Sequence, residues 1–160
     1  MLSLEQPVPL HLVNGCGIVG DTDKILGRLH VSLAMTADSR ARVALAQINA
    51  IVGDLAGNAR LIVEAAGAAH QAGADLMLAP ELALTGYPPE DLLLRPAFMA
   101  ACAEALEQLA ASLAAFPGLT VVVGHPHQQA DRAQVRSRSH AIPRSFNAAS
   151  VLRGGKVLAT

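Results

Sequence analysis

From Arg42 onward the apolar positions follow two periods in turn. Val43-Ala-Leu-Ala-Gln-Ile48 is a short apolar run of strand length, ended by the turn-prone pair Gly53-Asp54. Beyond Gly57-Asn58, Leu61, Ile62, Ala65, Ala66 and Ala69 recur at helical spacing with Arg60, Glu64 and Gln71 opposite, and Gly73 closes that helix. Asp75 to Ala79 reads as a second buried strand. The order strand, helix, strand predicts a parallel sheet covered by helices, an α/β fold. Pro88-Pro89-Glu90-Asp91 predicts a turn and a helix start, because proline suits a first turn and acidic groups favour the positive helix end. A long helix follows over Pro96 to Phe116, with Phe98, Cys102, Ala105, Leu106, Leu109 and Leu113 on its apolar face. Leu119 to Val123 is the third strand, ending in a turn at Gly124-His125-Pro126-His127. Residues 128–144 are polar and arginine-rich without a period, which predicts a loop. Asn147 to Leu152 and Lys156 to Leu158 predict a hairpin across Gly154-Gly155.

Composition divides the chain. Residues 1–33 contain no alanine and residues 34–160 contain 31, where uniform usage would place about eight in the first stretch. The division predicts an atypical, poorly ordered extension over 1–34 and a domain portion over 35–160. The extension holds Gly15-Cys-Gly17-Ile-Val-Gly20, a dinucleotide-loop spelling that has meaning only between a strand and a helix. Leu10 to Val13 has the pattern of a short strand before it, but Gly27 interrupts any helix after it. A net charge of −1 gives no global attraction to nucleic acid or anionic lipid. No apolar run approaches about 18 residues, which predicts no membrane-spanning helix. Two cysteines, Cys16 and Cys102, are too few for a disulfide scaffold or a zinc site. The start lacks a basic stretch followed by an apolar one, so the reading is cytoplasmic.

Glu81 is the most informative residue, because it ends an otherwise apolar strand where open α/β sheets gather catalytic groups. Burial beside Leu78, Ala79 and Leu82 would make it a general base. A helix-capping role, or pairing with Arg42, accounts for the same position structurally. His125 and His127 have the spacing that puts two side chains on one strand face, but no third metal ligand is visible and none is assigned. Arg132, Arg136, Arg138, His140 and Arg144 make the 128–144 loop basic without an interleaved aromatic ring, so nucleic acid is not taken as a partner. Tyr87 is a candidate substrate-pocket residue or a packed turn residue.

The string Ala79-Pro80-Glu81-Leu82-Ala83-Leu84-Thr85-Gly86-Tyr87 resembles the first catalytic signature of the carbon-nitrogen hydrolases, the nitrilase superfamily. Its continuation, Pro88-Pro89-Glu90-Asp91-Leu92-Leu93, is similar to the glutaminase module of the glutamine-dependent NAD synthetases. Three further stretches agree in order: Ala44 to Asn49 with Val52-Gly53-Asp54, Val122 to Pro126, and Asn147 to Val151. The resemblance covers roughly residues 42 to 160.

What the resemblance implies is an αββα nitrilase-like sandwich, of which this chain is the N-terminal part, and a Glu-Lys-Cys triad. In that family the glutamate deprotonates the cysteine, the thiolate attacks the glutamine carboxamide to give a thioester and ammonia, and the lysine stabilises the oxyanion. Glu81 matches the glutamate. The chain has only Lys24 and Lys156 as lysines. Lys156 lies in the hairpin, whereas the family lysine follows the next strand. Cys102 lies on a helix face and Cys16 in the extension, so this chain is expected to be inactive alone. For a complete enzyme the resemblance implies ATP and Mg2+ as cofactors, glutamine and deamido-NAD as substrates, and a homo-oligomer. A carbamoyl-amine hydrolase and a non-catalytic amidase-like binding module are the alternatives.

Overall fold

The computed structural model describes the strand Leu10–Asn14 and residues 41–128 and 144–160. Among the described residues six strands lie in one sheet in chain order: β1 (Leu10–Asn14), β2 (Arg42–Ala46), β3 (Leu76–Leu78), β4 (Thr120–Gln128), β5 (Ser145–Arg153) and β6 (Lys156–Ala159). β2, β3 and β4 run parallel, and β1, β5 and β6 add antiparallel neighbours at the two sides. The parallel pairs demand crossovers, supplied by α1 (Leu55–Gln71) and α2 (Pro96–Ser112). Gly154 and Gly155, at φ 57° and 80°, make the two-residue β5–β6 turn, where positive φ at both centres suits the strand twist.

Period two along the strands sends alternate residues to opposite faces. Ala44 and Ala46, Met77, Val121 and Val123, and Leu152 face the helices and join Ile62, Ala65, Ala66, Ala69, Leu106 and Leu109 in one core. The opposite face carries Val43, Leu45, Leu76, Leu78, Val122, Val151 and Leu158, all half-buried or exposed. One helix layer and one sheet are thus described, an α/β arrangement with an apolar outer face on the sheet.

Several elements depart from the sequence pattern. α1 starts at Leu55, three residues before Asn58, because the Asp54 carboxylate caps it by accepting from the Gly57 N–H at 2.9 Å. Glu90–Leu94 is a 3-10 turn separate from α2. At the start of α2 Met99 is buried, while Phe98 is half-buried. With its 3-10 continuation, α2 spans Pro96–Ala115, 20 residues long and apolar enough by length and composition to cross a bilayer. Run length does not show it, because Glu104 and Glu107 interrupt the apolar positions. The helix is laid against α1, β4 and β6, with Glu104 and Glu107 exposed.

The largest correction concerns Gly124-His125-Pro126-His127, which is not a turn. β4 continues through it, paired with β5 from Val121↔Leu152 to Gln128↔Ser145. β3 pairs with β4 only as far as Val122. The Val122 and Gly124 carbonyls both accept bonds from the chain after β3. By alternation the missing N–H of Pro126 faces the same side, beyond the end of β3, where no ladder bond is lost.

Two buried polar groups fasten these elements. Asn58, fully buried on α1, accepts from the Ile51 N–H and donates to the Ile51 and Leu84 carbonyls at 2.8, 2.8 and 3.1 Å. His125, 2% exposed, lies 3.0 Å by Nδ1 from the Pro126 carbonyl and 2.7 Å by Nε2 from the Ser150 hydroxyl, which bonds Thr160 at 2.7 Å. With Nδ1 donating, Nε2 accepts from Ser150, so the network uses the neutral imidazole. Burial holds the His125 pKa below its ordinary 6.5, opposed by the Pro126 carbonyl and reinforced by His127.

Asn58→Ala leaves the Ile51 N–H and the Leu84 carbonyl without a partner and is expected to lower unfolding free energy by about 2 to 4 kcal/mol in urea titrations. For His125 the unfolded chain binds its proton first as pH falls. Its stabilising contribution is complete above pH 6.5 and is lost as pH falls toward the depressed folded value. Urea midpoints between about pH 7.5 and pH 5 are expected to fall more steeply in the native chain than in His125→Gln.

Candidate active site

Glu81 sits just past the carboxyl end of β3, in a turn running from Pro80 to Gly86. Ala83 and Thr85 N–H groups bond back to the Pro80 and Leu82 carbonyls at 3.2 and 3.0 Å, and Leu82 is held at φ 49°. The turn is pinned from two sides. Toward β4, the Leu84 N–H donates to the Gly124 carbonyl at 3.3 Å. A Cβ on Gly124 would lie 2.5 Å from the Leu82 nitrogen, 2.7 Å from the Pro80 oxygen and 2.9 Å from the Glu81 Cα, so only glycine admits this approach. Toward α1, the Gly53 N–H donates to the Thr85 carbonyl at 2.9 Å, beside the Asn58 bond to Leu84. Gly86, at φ +74°, presses its Cα against Ile51 and Val52, where a Cβ would meet backbone at 2.6 Å.

The Glu81 carboxylate accepts a hydrogen bond at Oε1 from the Asn147 side-chain amide on β5. The residue is exposed, so the burial anticipated beside Leu78, Ala79 and Leu82 is not supplied by the described residues. Arg42 is not its partner: the guanidinium bonds the Ala72 and Gly73 carbonyls at the end of α1, at 2.8 and 3.3 Å. Asn147 was visible in the sequence as the first residue of a matching stretch, but nothing in the spacing linked it to a residue 66 positions earlier. Tyr87 follows the turn with 66% exposure.

The remaining candidates are not brought to Glu81. Cys102 is buried on the inner face of α2 and desolvation pushes its thiol up to about 11, the opposite of an activated nucleophile. Lys156 opens β6 opposite Arg153. Because β5 runs back from Gln128↔Ser145 to Val121↔Leu152, that position is at the far end of the sheet from the strand termini around Glu81. His125 and His127 share a strand face with ring centroids 6.3 Å apart. Among the described residues no three side chains of metal-ligating type converge. Cys16, Lys24, the Gly15-to-Gly20 motif and Arg132, Arg136, Arg138 and His140 lie outside the described residues. The larger surface groove lies between the outer sides of α1 and α2, lined by Ala59, Val63, Ala105 and Leu109, and does not include Glu81.

A model of the carbon-nitrogen hydrolase family matches residues 42–157. The glutamine-dependent NAD(+) synthetase of Synechocystis is 50% identical over 92 residues, covering 56% of this chain and 16% of that protein. The synthetase of the same name from Xanthomonas campestris is 44% identical over 120 residues, covering 74% and 19%. Among solved structures, a glutamine-dependent NAD(+) synthetase from Cytophaga hutchinsonii superposes at TM-score 0.60 with 26% identity, covering 73% of this chain and 18% of that one. An amidase from Nesterenkonia superposes at TM-score 0.55 with 27% identity, covering 74% and 41%. The chain spans less than a fifth of the length of these curated relatives. A family match over most of the chain places this protein in the carbon-nitrogen hydrolase family.

Proposed function

We propose that this chain supplies the general base of a glutamine-hydrolysing site, the ammonia source of a glutamine-dependent NAD synthetase. The reading is carried by Glu81, clamped at the carboxyl end of β3 by β4 and the loop before α1 while its carboxylate stays open to a substrate. The 50% and 44% identities to synthetases support that class over other amidases. In the reaction the family resemblance implies, Glu81 takes the thiol proton of a cysteine and the thiolate adds to the glutamine carboxamide carbon. Glu81 returns the proton to the leaving nitrogen, so ammonia departs and a thioester remains for water to hydrolyse.

The cysteine and the oxyanion-stabilising lysine are proposed to come from outside the described residues. The buried Cys102 thiol and the distant Lys156 support this. The same source would supply the second sheet that the αββα sandwich lays on the apolar outer face of this one. ATP and Mg2+ would serve the amidation of deamido-NAD elsewhere in a complete, cytoplasmic homo-oligomeric enzyme. The described residues offer no convergent ligand set for them, and no step here runs through either. The Nesterenkonia amidase neighbour keeps a different amidase, such as a carbamoyl-amine hydrolase, as the second reading.

The product of the whole reading frame is expected to release ammonia from glutamine and not from carbamoyl-amines, and Glu81→Gln to cut that rate by about a hundredfold or more. Ammonia release from carbamoyl substrates alone would overturn the glutaminase reading. In a Cys16→Ser background, Cys102 is expected to resist iodoacetamide at about pH 8 in the native chain and to react once the chain is unfolded in urea. Rapid native alkylation would reopen Cys102 as a nucleophile.

A further inference from the structure

We propose that Asn147 is the positioning residue of the Glu81 carboxylate: its side-chain amide holds Oε1 and leaves Oε2 to receive the thiol proton. The inference deepens the glutaminase reading and rests on it. The contact bridges two elements with no covalent proximity, the turn after β3 and the start of β5. Strand register explains why it forms. Gly124 pairs with Ala149 and Pro126 with Asn147, so Asn147 lies two residues along the same sheet face over which the Pro80–Leu82 backbone is pressed. The missing Cβ of Gly124 brings the turn down to the sheet, and Asn147 is the side chain standing where Glu81 arrives.

The residue type also fits the task. Among the described residues no other hydrogen bond or ion pair reaches the Glu81 carboxylate, and the residue is exposed. A free glutamate side chain samples several rotamers, and each off-target one wastes the geometry that proton transfer needs. One donor removes that freedom. An amide donor carries no charge, so it orients an ionised carboxylate less strongly than an arginine or lysine would, and a proton acceptor is retained. It also donates at every pH, unlike a histidine or a second carboxyl group.

Two measurements test this. In side-chain amide NMR spectra of the 160-residue chain, the Asn147 NH2 pair is expected to move in Glu81→Gln, where a neutral acceptor replaces a charged one, while backbone dispersion is kept. In the product of the whole reading frame, Asn147→Ala is expected to lower kcat for ammonia release by about ten- to a hundredfold with KM within about threefold, the split expected of a group acting in the transition state. Asn147→Asp, equal in size but unable to donate when ionised, should lose kcat in the same way. An Asn147 amide pair indifferent to Glu81→Gln, or unchanged kcat in both variants, overturns the proposal. A wild-type product that releases no ammonia overturns the glutaminase reading instead, and the amide spectra still decide whether Asn147 holds Glu81.

Discussion

The contact between the turn after β3 and the backbone of β4 at Gly124 is the constraint on which the rest of the site depends. Two chains lie closer there than any side chain permits, since a Cβ would sit 2.5 to 2.9 Å from three backbone atoms of the turn. Ordinary loops owe their mobility to solvent-filled gaps beneath them. This one has none on the β4 side, and the second close approach, at Gly86 against Ile51 and Val52, removes the gap on the other. Glu81 therefore hangs from backbone seated directly on the sheet and on the loop before α1, the kind of support that the proposed role of Glu81 calls for.

Polar groups complete what the glycines begin. Backbone pressed against backbone strands donors and acceptors away from water, and each must find a partner. Asn58 answers for Ile51 and Leu84, and Gly53 for Thr85. His125, Ser150 and Thr160 tie β4, β5 and the end of β6 together beneath the helices. The same strand thus shows two characters: Gly124 faces the turn and admits it, while His125, one residue on, turns into the core and fixes the neighbouring strands. Alternation along a strand makes that division of labour possible.

The two faces of the sheet also differ in kind. The helix-covered face is closed by alanines, Ile62, Met77, Leu109 and their neighbours, packed with almost no exposure. The outer face holds Leu45 and Leu158 at 38% and 59% exposure. A face so apolar calls for cover. That demand is the physical content of the sandwich the family resemblance implied.

Periodicity in the sequence determined the layers: the βαβ order, the inner face of α2 with Cys102 on it, the Gly154-Gly155 hairpin and the place of Glu81 at a strand end are all legible in it. Local signals of that kind are written in neighbouring residues, and local energetics decide them. The course of β4 was not legible, because Gly124 and Pro126 act as strand breakers in isolation. They are tolerated only because β3 has stopped and the turn needs the room. The exposure of Glu81 and its bond to Asn147 were equally hidden. Both depend on strand register between segments 66 residues apart. The sequence alone therefore pointed to Glu81. Only the tertiary structure decided what holds it, because register and close backbone approach arise between segments and leave no mark in either one.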